Sequence, residues 1–370
     1  MSKKILVLYG VSGFLGHKVI GENYAALLKA HGHEVHLGDA FAIDGKTVIK
    51  GGEKVYFWWL KTTPWFWRFL YLRWTNLPGA HWFKRKFFPS LYKKTARFVL
   101  DLKPDIVIAA HVVASAVVSR LKEQNLYRGR LISVFSDWHM QDFWVYPGID
   151  KYLIETQEQR EVLIKKGIDH RNIHITGMLL SPAFYKLPSK DEAKKNLGIA
   201  EDKKIIIVMG GGMGWQIEKI IETLSLVEGN TQSVIITGSA PRAVEINNLI
   251  IEKFPGAEDK FKVLGFIEPS SYFAAADLLI SKPGGLTTSQ AFLSKLPMLV
   301  VSPLPGQEEE NIKYLIKQKA ILLENNSSLS EQITELIKDD KKLDEAAENA
   351  YKLAPKNAPN SILEIINKEL

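Results

Sequence analysis

One short pattern occurs near the start of the chain and again past its middle, and it restricts the fold more than any other feature. Residues 4–9 (KILVLY) and 204–209 (KIIIVM) are apolar runs of strand length, each followed at once by glycine. Such runs are typical of strands that are buried on both faces of a parallel sheet. A helical stretch and a further strand follow each glycine loop. The pattern therefore predicts two doubly wound α/β halves.

The length of the chain agrees with two domains. Its 370 residues exceed the roughly 250–300 residues at which a single core stops growing. We expect one Rossmann-like domain at 1–180, a second at 181–350, and a C-terminal helix at 351–370 that packs back on the first domain. Cysteine is absent, which excludes a disulfide framework and a thiolate nucleophile and fits a reducing cytoplasm. No apolar run approaches the ~20 residues of a membrane-spanning helix.

Residues 54–97 interrupt the α/β pattern with a segment that is both aromatic and basic. It contains ten Lys/Arg without any Asp/Glu, and six of the nine Trp. Trp and Tyr favour the bilayer interface and Lys/Arg attract anionic head groups, so we interpret the segment as a membrane-docking insertion. The candidate membrane and acceptor residues are Trp58, Trp59, Trp65, Trp67, Arg68, Trp74, Lys84, Arg85 and Lys86.

Two other interpretations of this segment stay open. The aromatic residues could form a buried cluster whose cations lie on a solvated rim. They could also stack on nucleic-acid bases while the cations contact phosphates. No nucleic-acid-binding motif accompanies the segment, so nucleic acid is not an expected partner.

Residues 279–314 predict a site for an anionic ligand. The stretch contains two successive strand–loop–helix units, with glycine-containing loops at 281–285 and 305–309. Glycine lets the backbone approach a ligand closely, and a helix N-terminus offers free N–H groups to an anion. We expect these loops to hold the diphosphate and sugar of a nucleotide-sugar donor.

The first glycine loop, GVSGFLGH at 10–17, also fits a dinucleotide site, with Asp39 placed to bind a ribose. On that reading the chain would be an NAD(P)-dependent nucleotide-sugar epimerase or reductase. Short-chain enzymes of this type need a Tyr with Lys four residues later, and none of the twelve Tyr has one. This alternative also leaves the second glycine-rich half unexplained.

The motifs taken together resemble one known family. KPGGLTTSQAF and LPMLVVSPLPGQEEENIKYL are similar to the donor site of diacylglycerol glucosyltransferases and monogalactosyldiacylglycerol synthases, in glycosyltransferase family 28. The loop that ends in Gly16-His17, the strand that leads to His111, and Ser136-Asp137 resemble further motifs of these relatives of the lipid I GlcNAc transferase. The resemblance implies a GT-B fold, in which two Rossmann-like doubly wound domains face a cleft.

The resemblance also implies an activity and a location. The chain would be an inverting transferase that moves glucose or galactose from a UDP-sugar to diacylglycerol or a glycosyldiacylglycerol. It would work as a peripheral protein on the cytoplasmic face of the cell membrane. A GlcNAc transferase that uses a polyprenyl-linked acceptor is an alternative activity, and a non-catalytic protein that binds nucleotide sugar is another.

Residue roles follow from matching the family's motifs. His17 is the candidate base, since an unperturbed imidazole pKa of about 6.5 suits proton removal at neutral pH, and Asp137 would orient the base or act as one. No Asp-x-Asp sequence occurs, so we expect no metal and no cofactor, with helix dipoles taking a cation's role. Family members usually carry Glu where this chain has Gln290. The candidate donor-binding residues are Gly16, Gly211, Gly212, Gly265, Phe266, Lys282, Gly284, Gly285, Thr287, Thr288, Gln290, Gly306, Gln307, Glu308 and Asn311.

Overall fold

A computed structural model of the chain describes residues 2–10, 15–42, 62–73, 80–87, 89, 92–210 and 217–369. The chain divides into two compact units. Unit 1 consists of Met1–Leu179, Pro305–Gln307 and Pro355–Leu370, and unit 2 consists of Leu180–Leu304 and Glu308–Ala354.

Unit 1 contains a parallel sheet of six strands. They are β1 (Lys4–Tyr9), β2 (Glu34–Asp39), β3 (Ile106–Ala109), β4 (Arg130–Val134), β5 (Lys151–Ile154) and β6 (Ile173–Ile175). The order is β2-β1-β3-β4-β5-β6, so the direction in which the sheet grows reverses at β1. The helices are α1 (Leu15–Ala30), α2 (Pro64–Arg73), α3 (Lys93–Leu102), α4 (Val112–Glu123) and α5 (Gln157–Lys165), with short helical turns at Ala80–Trp82 and Phe83–Phe87.

Unit 2 repeats this architecture with a different strand order. Its strands are β7 (Lys204–Met209), β8 (Thr231–Ile236), β9 (Phe261–Leu264), β10 (Leu278–Ser281), β11 (Met298–Val300) and β12 (Leu322–Leu323). They are ordered β12-β11-β10-β7-β8-β9, with all pairs parallel. The helices are α6 (Lys190–Leu197), α7 (Ile217–Ser225), α8 (Ala240–Lys253), α9 (Ser270–Ala275), α10 (Gly285–Leu293), α11 (Gln307–Lys317), α12 (Leu329–Leu336) and α13 (Asp340–Lys352); the C-terminal helix α14 (Ala358–Lys368) belongs to unit 1.

The central strands owe their position to continuous apolar runs. Ile5–Leu8 in β1 and Ile205–Val208 in β7 are fully buried, as expected for strands that are covered by helices on both faces. Local signals then set the helix ends. Ser189 and Glu192 form a capping box at the start of α6, and Gly198 ends that helix in the left-handed region.

The predicted two-domain, doubly wound fold is confirmed. The strands predicted at 4–9 and 204–209 have the predicted bounds. In open α/β sheets, ligands bind at the carboxyl ends of the strands where the order reverses. These points lie after β1 and β3 in unit 1, and after β7 and β10 in unit 2.

Candidate active site

Two histidine rings meet in unit 1 at the carboxyl ends of β1 and β3. His17 lies on α1, which follows β1, and His111 lies two residues after β3 at the start of α4. Their ring centroids are 4.7 Å apart in an edge-to-face arrangement. The Phe41 ring lies 5.0 Å from His111, and the Trp144 ring lies 6.5 Å from His17. The pair is therefore surrounded by aromatic side chains.

A hydrogen bond to the backbone determines which nitrogen of His17 carries the proton. Its Nδ1 lies 2.9 Å from the carbonyl oxygen of Ala110, and a carbonyl only accepts, so Nδ1 is the donor. The lone pair is therefore on Nε2. Burial lowers the pKa of His17, against the charge of Asp137 and the bond to Ala110, which both raise it. His17 is consequently a neutral imidazole with an unprotonated Nε2 at neutral pH.

His111 is held in the opposite tautomer. Its Nδ1 accepts the N–H of Val113 at 3.2 Å and caps α4, so its proton is on Nε2. Burial, and the neighbouring His17, lower the pKa of His111 well below its usual value. A Cβ added at Gly10 would lie 2.7 Å from Cγ of His111 and 2.6 Å from Cε2 of Phe41. Position 10 therefore has room for glycine alone.

Asp137 follows β4 and is tied to its neighbours by two amides of unit 1. Gln159 on α5 donates from Nε2 to the main-chain oxygen of Asp137 at 2.7 Å. Gln307, which groups with unit 1, donates from Nε2 to Oδ2 of Asp137 at 2.6 Å. The carboxylate is near enough to His17 for its charge to act on that ring. Unit 1 thus brings together the two residues that the sequence predicted as catalytic.

In unit 2, α10 begins directly at the KPGG loop. Gly284 is the N-cap of this nine-residue helix, and it has no side chain with which to cap the first turn. The first N–H groups of a helix lack acceptors within the helix and favour an anion. An added Cβ at Gly284 would meet no atom within 4 Å, and its φ of −73° suits any residue. The fold itself therefore does not require glycine at this position.

The polar side chains of α10 divide between the interior and the surface. Thr287 is half-buried, whereas Thr288 is fully buried and its hydroxyl contacts the sulfur of Met298 at 3.9 Å. Gln290 is also buried. The hydroxyl of Thr288 therefore faces the core of unit 2, and Thr287 is the better placed of the two threonines to contact a ligand.

Two side chains of α11 that belong to unit 2 hold the helix beside the KPGG loop. Glu308 is 3.3 Å from Nζ of Lys282 through Oε1, and it accepts the N–H of Leu304 at 2.6 Å through Oε2. Asn311 is fully buried and donates to the carbonyl of Pro283 at 3.1 Å. Both oxygens of Glu308 thus have partners within unit 2, so its placement favours positioning the loop over free contact with a sugar.

The remaining predicted donor residues lie at three separate places. Gly265 follows β9, and a Cβ added there would lie 3.2 Å from the backbone of Ala240. The next residue, Phe266, is 61% exposed. Gly306 has a φ of +85°, which favours glycine before α11. Gly16 lies on α1, where an added Cβ would meet nothing within 4 Å. Gly211 and Gly212 lie outside the described residues.

Part of the aromatic and basic segment forms an exposed surface. Trp65 is 70% exposed and Phe69 47% exposed on α2, where Arg68 is exposed as well, and Trp82 is 60% exposed. None of the helices in the described ranges has the length and apolar character needed to cross a bilayer. Trp58, Trp59 and Trp74, together with the side chains of Trp67 and Lys86, fall outside what the structure describes.

The structure corrects the prediction for Lys84. This residue is only 8% exposed, its ammonium group donates to the carbonyl of Asp142, and it lies 4.7 Å from the centre of the Tyr146 ring. Burial lowers the pKa of Lys84 to about 8. Arg85 remains partly exposed but pairs with Glu123 at 2.7 Å. Lys84 is therefore an interior side chain and cannot meet lipid head groups.

Comparison with known proteins agrees with this architecture. Residues 22–179 match the family described as monogalactosyldiacylglycerol (MGDG) synthase, and residues 189–353 match glycosyl transferases group 1. The structure of Arabidopsis thaliana UGT89C1 complexed with UDP has a TM-score of 0.62 to this chain at 10% identity, and the match covers 100% of both chains. At that identity the likeness shows the fold alone, which is that of the GT-B glycosyltransferases.

Two relatives specify the family further. A processive diacylglycerol beta-glucosyltransferase of Bacillus licheniformis is 30% identical over 290 residues, which cover 76% of this chain and 73% of the relative. The protein of the same name from Bacillus pumilus is 28% identical over 295 residues, which cover 76% and 74%. The chain belongs to the diacylglycerol glucosyltransferase family, and it is a glycosyltransferase.

Proposed function

We propose that the chain transfers a hexose, glucose or galactose, from a UDP-sugar to the free hydroxyl of a diacylglycerol-type lipid, with inversion at the anomeric carbon. The observation that most supports this proposal is the unprotonated Nε2 of His17. A buried imidazole with its Nδ1 proton held by a carbonyl is a base that stays neutral until it accepts a proton. The names of the relatives, diacylglycerol beta-glucosyltransferases, support the lipid acceptor and the β product.

The proposed reaction is a single displacement. The acceptor oxygen attacks the anomeric carbon, and the bond from that carbon to the UDP oxygen breaks, with its electron pair leaving on UDP. The acceptor proton moves to Nε2 of His17. The imidazolium that forms is stabilised by the negative charge of Asp137, in the way that an aspartate stabilises histidine in hydrolytic triads.

The N-terminus of α10 is the proposed site for the diphosphate of the donor. Its first N–H groups have no capping side chain from Gly284, and the helix dipole favours an anion at this end. Thr287 adds a hydroxyl near the same turn. The absence of an Asp-x-Asp sequence supports transfer without a metal, with these N–H groups balancing the charge of the leaving UDP.

The exposed part of residues 54–97 is the proposed contact with the membrane. Trp65 and Phe69 on α2 place large apolar surfaces beside the exposed Arg68, a combination that suits a bilayer interface with anionic head groups. The lipid acceptor lies in that bilayer. We therefore propose a peripheral enzyme on the cytoplasmic face, with the buried Lys84 left out of the contact.

Transfer to liposomes tests the function directly. The purified chain is incubated with UDP-glucose, UDP-galactose or UDP-GlcNAc and with vesicles that carry either diacylglycerol or a polyprenyl-linked acceptor. Both glycolipid and released UDP are measured, with and without EDTA. We expect UDP and glycolipid to form together from a UDP-hexose, and EDTA to have no effect. Transfer of GlcNAc to a polyprenyl-linked acceptor alone, or no glycolipid from any UDP-hexose, would replace the proposed function.

A further inference from the structure

Glu155 is a buried carboxyl group that the proposed reaction does not use. It comes directly after β5 and is 9% exposed. Burial raises the pKa of Glu155 to about 8, the backbone N–H of Met178 opposes this by donating to the carboxyl, and the charge of Asp137 adds to it. Glu155 therefore holds a proton at neutral pH.

One amide side chain joins Glu155 to Asp137. Oε1 of Gln159 accepts the N–H of Glu155 at 2.8 Å and the N–H of Thr156 at 3.0 Å. Nε2 of the same amide donates to the main-chain oxygen of Asp137 at 2.7 Å. Gln159 is 1% exposed, so water does not compete for these bonds. The backbone after β4 is thus held beside the backbone after β5, at the two residues that carry the carboxyl groups.

The other side of Glu155 is closed by backbone. A Cβ added at Gly177 would lie 3.8 Å from Oε2 of Glu155 and 2.6 Å from Cβ of Pro355, and the φ of Gly177 is +67°. Met178 contributes its N–H from the same segment. The charged group that acts on Glu155 is Asp137, while Gln159 and Met178 face it with neutral hydrogen-bonding groups. Among the residues that the structure describes, no cation acts on the pKa of Glu155 to balance its ionised form.

We propose that Glu155 is a positioning residue whose neutral acid form keeps Asp137 in place beside His17, and whose ionisation disrupts that arrangement. This inference rests on the proposed function. Two carboxylates in one buried site repel each other, and one of them stays protonated where the site has no cation. When Glu155 loses its proton, the repulsion moves Asp137 away from the position that stabilises the imidazolium. The displacement then slows because the imidazolium that forms in it is less stabilised.

A series of variants at one position tests the proposal. Glu155→Gln and Glu155→Met have no proton to lose, whereas Glu155→Asp keeps a titrating acid. We expect wild-type kcat to fall on the alkaline side from about pH 8, by roughly tenfold per pH unit for a single ionisation. Glu155→Gln and Glu155→Met should lose this alkaline decline, and Glu155→Asp should retain it. Two uncharged variants are used so that the test can still be made if one of them does not fold.

Glu161→Gln is the matched control, because Glu161 is an exposed glutamate on the same helix as Gln159. It should keep the wild-type profile. An alkaline decline that survives unchanged in Glu155→Gln would belong to another group, such as Lys84, and would overturn the positioning role while leaving the transferase function intact. Absence of transfer by the wild type at every pH would instead overturn the proposed function, and the positioning role with it.

Discussion

The two units share one architecture and differ in what they place at the carboxyl ends of their strands. Each has six parallel strands whose order reverses at its first strand. Unit 1 places ionisable side chains there, His17, His111, Asp137 and Glu155, with several pKa values shifted by burial. Unit 2 places glycine and backbone N–H groups there, at Gly284 and the start of α10. The proposed function thus assigns proton transfer to one unit and anion binding to the other, on the same fold.

The two units also differ in whether a buried carboxyl group lies beside a cation. In unit 2 the buried carboxylate of Glu308 has the ammonium group of Lys282 at 3.3 Å and a backbone N–H. In unit 1 none of the described groups that act on the pKa of the buried Glu155 is a cation. The pairing of Glu308 with Lys282 holds α11 beside the KPGG loop, whereas the ionisation of Glu155 responds to pH. Variants in each unit should therefore affect different measured quantities.

The largest effect is expected at His17. His17→Ala removes the proposed base and should lower kcat by roughly a hundredfold to ten-thousandfold, with little change in the KM for the UDP-sugar. The control is His31→Ala. His31 also lies with Nδ1 near a backbone carbonyl, that of Leu27 at 2.8 Å, but it is exposed. Full transfer by His17→Ala would show that His17 is not the base and that unit 1 does not accept the acceptor proton there.

A large effect on stability is expected from Glu155→Gln. On folding, the pKa of the Glu155 carboxyl rises from 4.5 to about 8. The folded chain therefore binds this proton more tightly than the unfolded chain does. That stabilisation is complete below pH 4.5 or so and is lost as the pH rises to about 8. Glutamine has no such loss, so the variant should be the more stable protein at pH 8, by up to about 5 kcal/mol.

Thermal melts at pH 5 and pH 8 measure this difference. The melting temperature of Glu155→Gln should exceed that of the wild type by more at pH 8 than at pH 5. An equal difference at both values would mean that Glu155 does not hold a proton in the folded chain. In that case Glu155 would be an ionised carboxylate in the folded chain, and this difference between the two units would disappear.

A moderate effect is expected at Gly284. Since an added Cβ there meets no protein atom, Gly284→Ala should cost less than about 1 kcal/mol of stability. It would nevertheless keep a diphosphate from the backbone, and the KM for the UDP-sugar should rise roughly tenfold, or about 1.4 kcal/mol. Ser328→Ala is the converse control, because it removes a true side-chain cap from α12. It should lower stability and leave that KM unchanged.

The smallest effect is expected at the exposed surface of α2. Trp65→Ala with Phe69→Ala should weaken flotation with anionic vesicles several-fold, roughly 1–2 kcal/mol, because apolar area and interfacial aromatic contacts are lost. Leu226→Ala is the control in unit 2, since Leu226 is 69% exposed. Binding should also weaken as salt is added. Equal loss in the control and the double variant would contradict a membrane contact specific to unit 1.

Much of the fold could be predicted from the sequence because its signals are local. The apolar runs at β1 and β7 and the glycines after them are contiguous, and each specifies a strand and a turn without reference to the rest of the chain. The two-residue strand β12 carried no such signal. His17 and Asp137 could be selected by motif, and His111 was visible as a strand-ending histidine without an assigned role.

Other site properties depend on packing between distant segments. Lys84 belongs by composition to a basic surface, but its burial follows from contacts with Asp142 and Tyr146, far along the chain. Glu155 carries no motif, and its raised pKa arises from residues that only the folded sheet brings near. The pairing of Glu308 with Lys282 likewise joins two loops. Sequence periodicity contains no information about such neighbours.

The crowding at Gly10 has a consequence for how the family can diverge. Because position 10 shares its space with His111 and Phe41, a larger residue there requires a smaller one at 41 or the loss of the ring at 111. The three positions should therefore change together among relatives or remain constant together. A homologue with alanine at the position of Gly10 and both rings retained would have to have shifted β1 or α4, so aligned sequences can test this geometry without any protein being made.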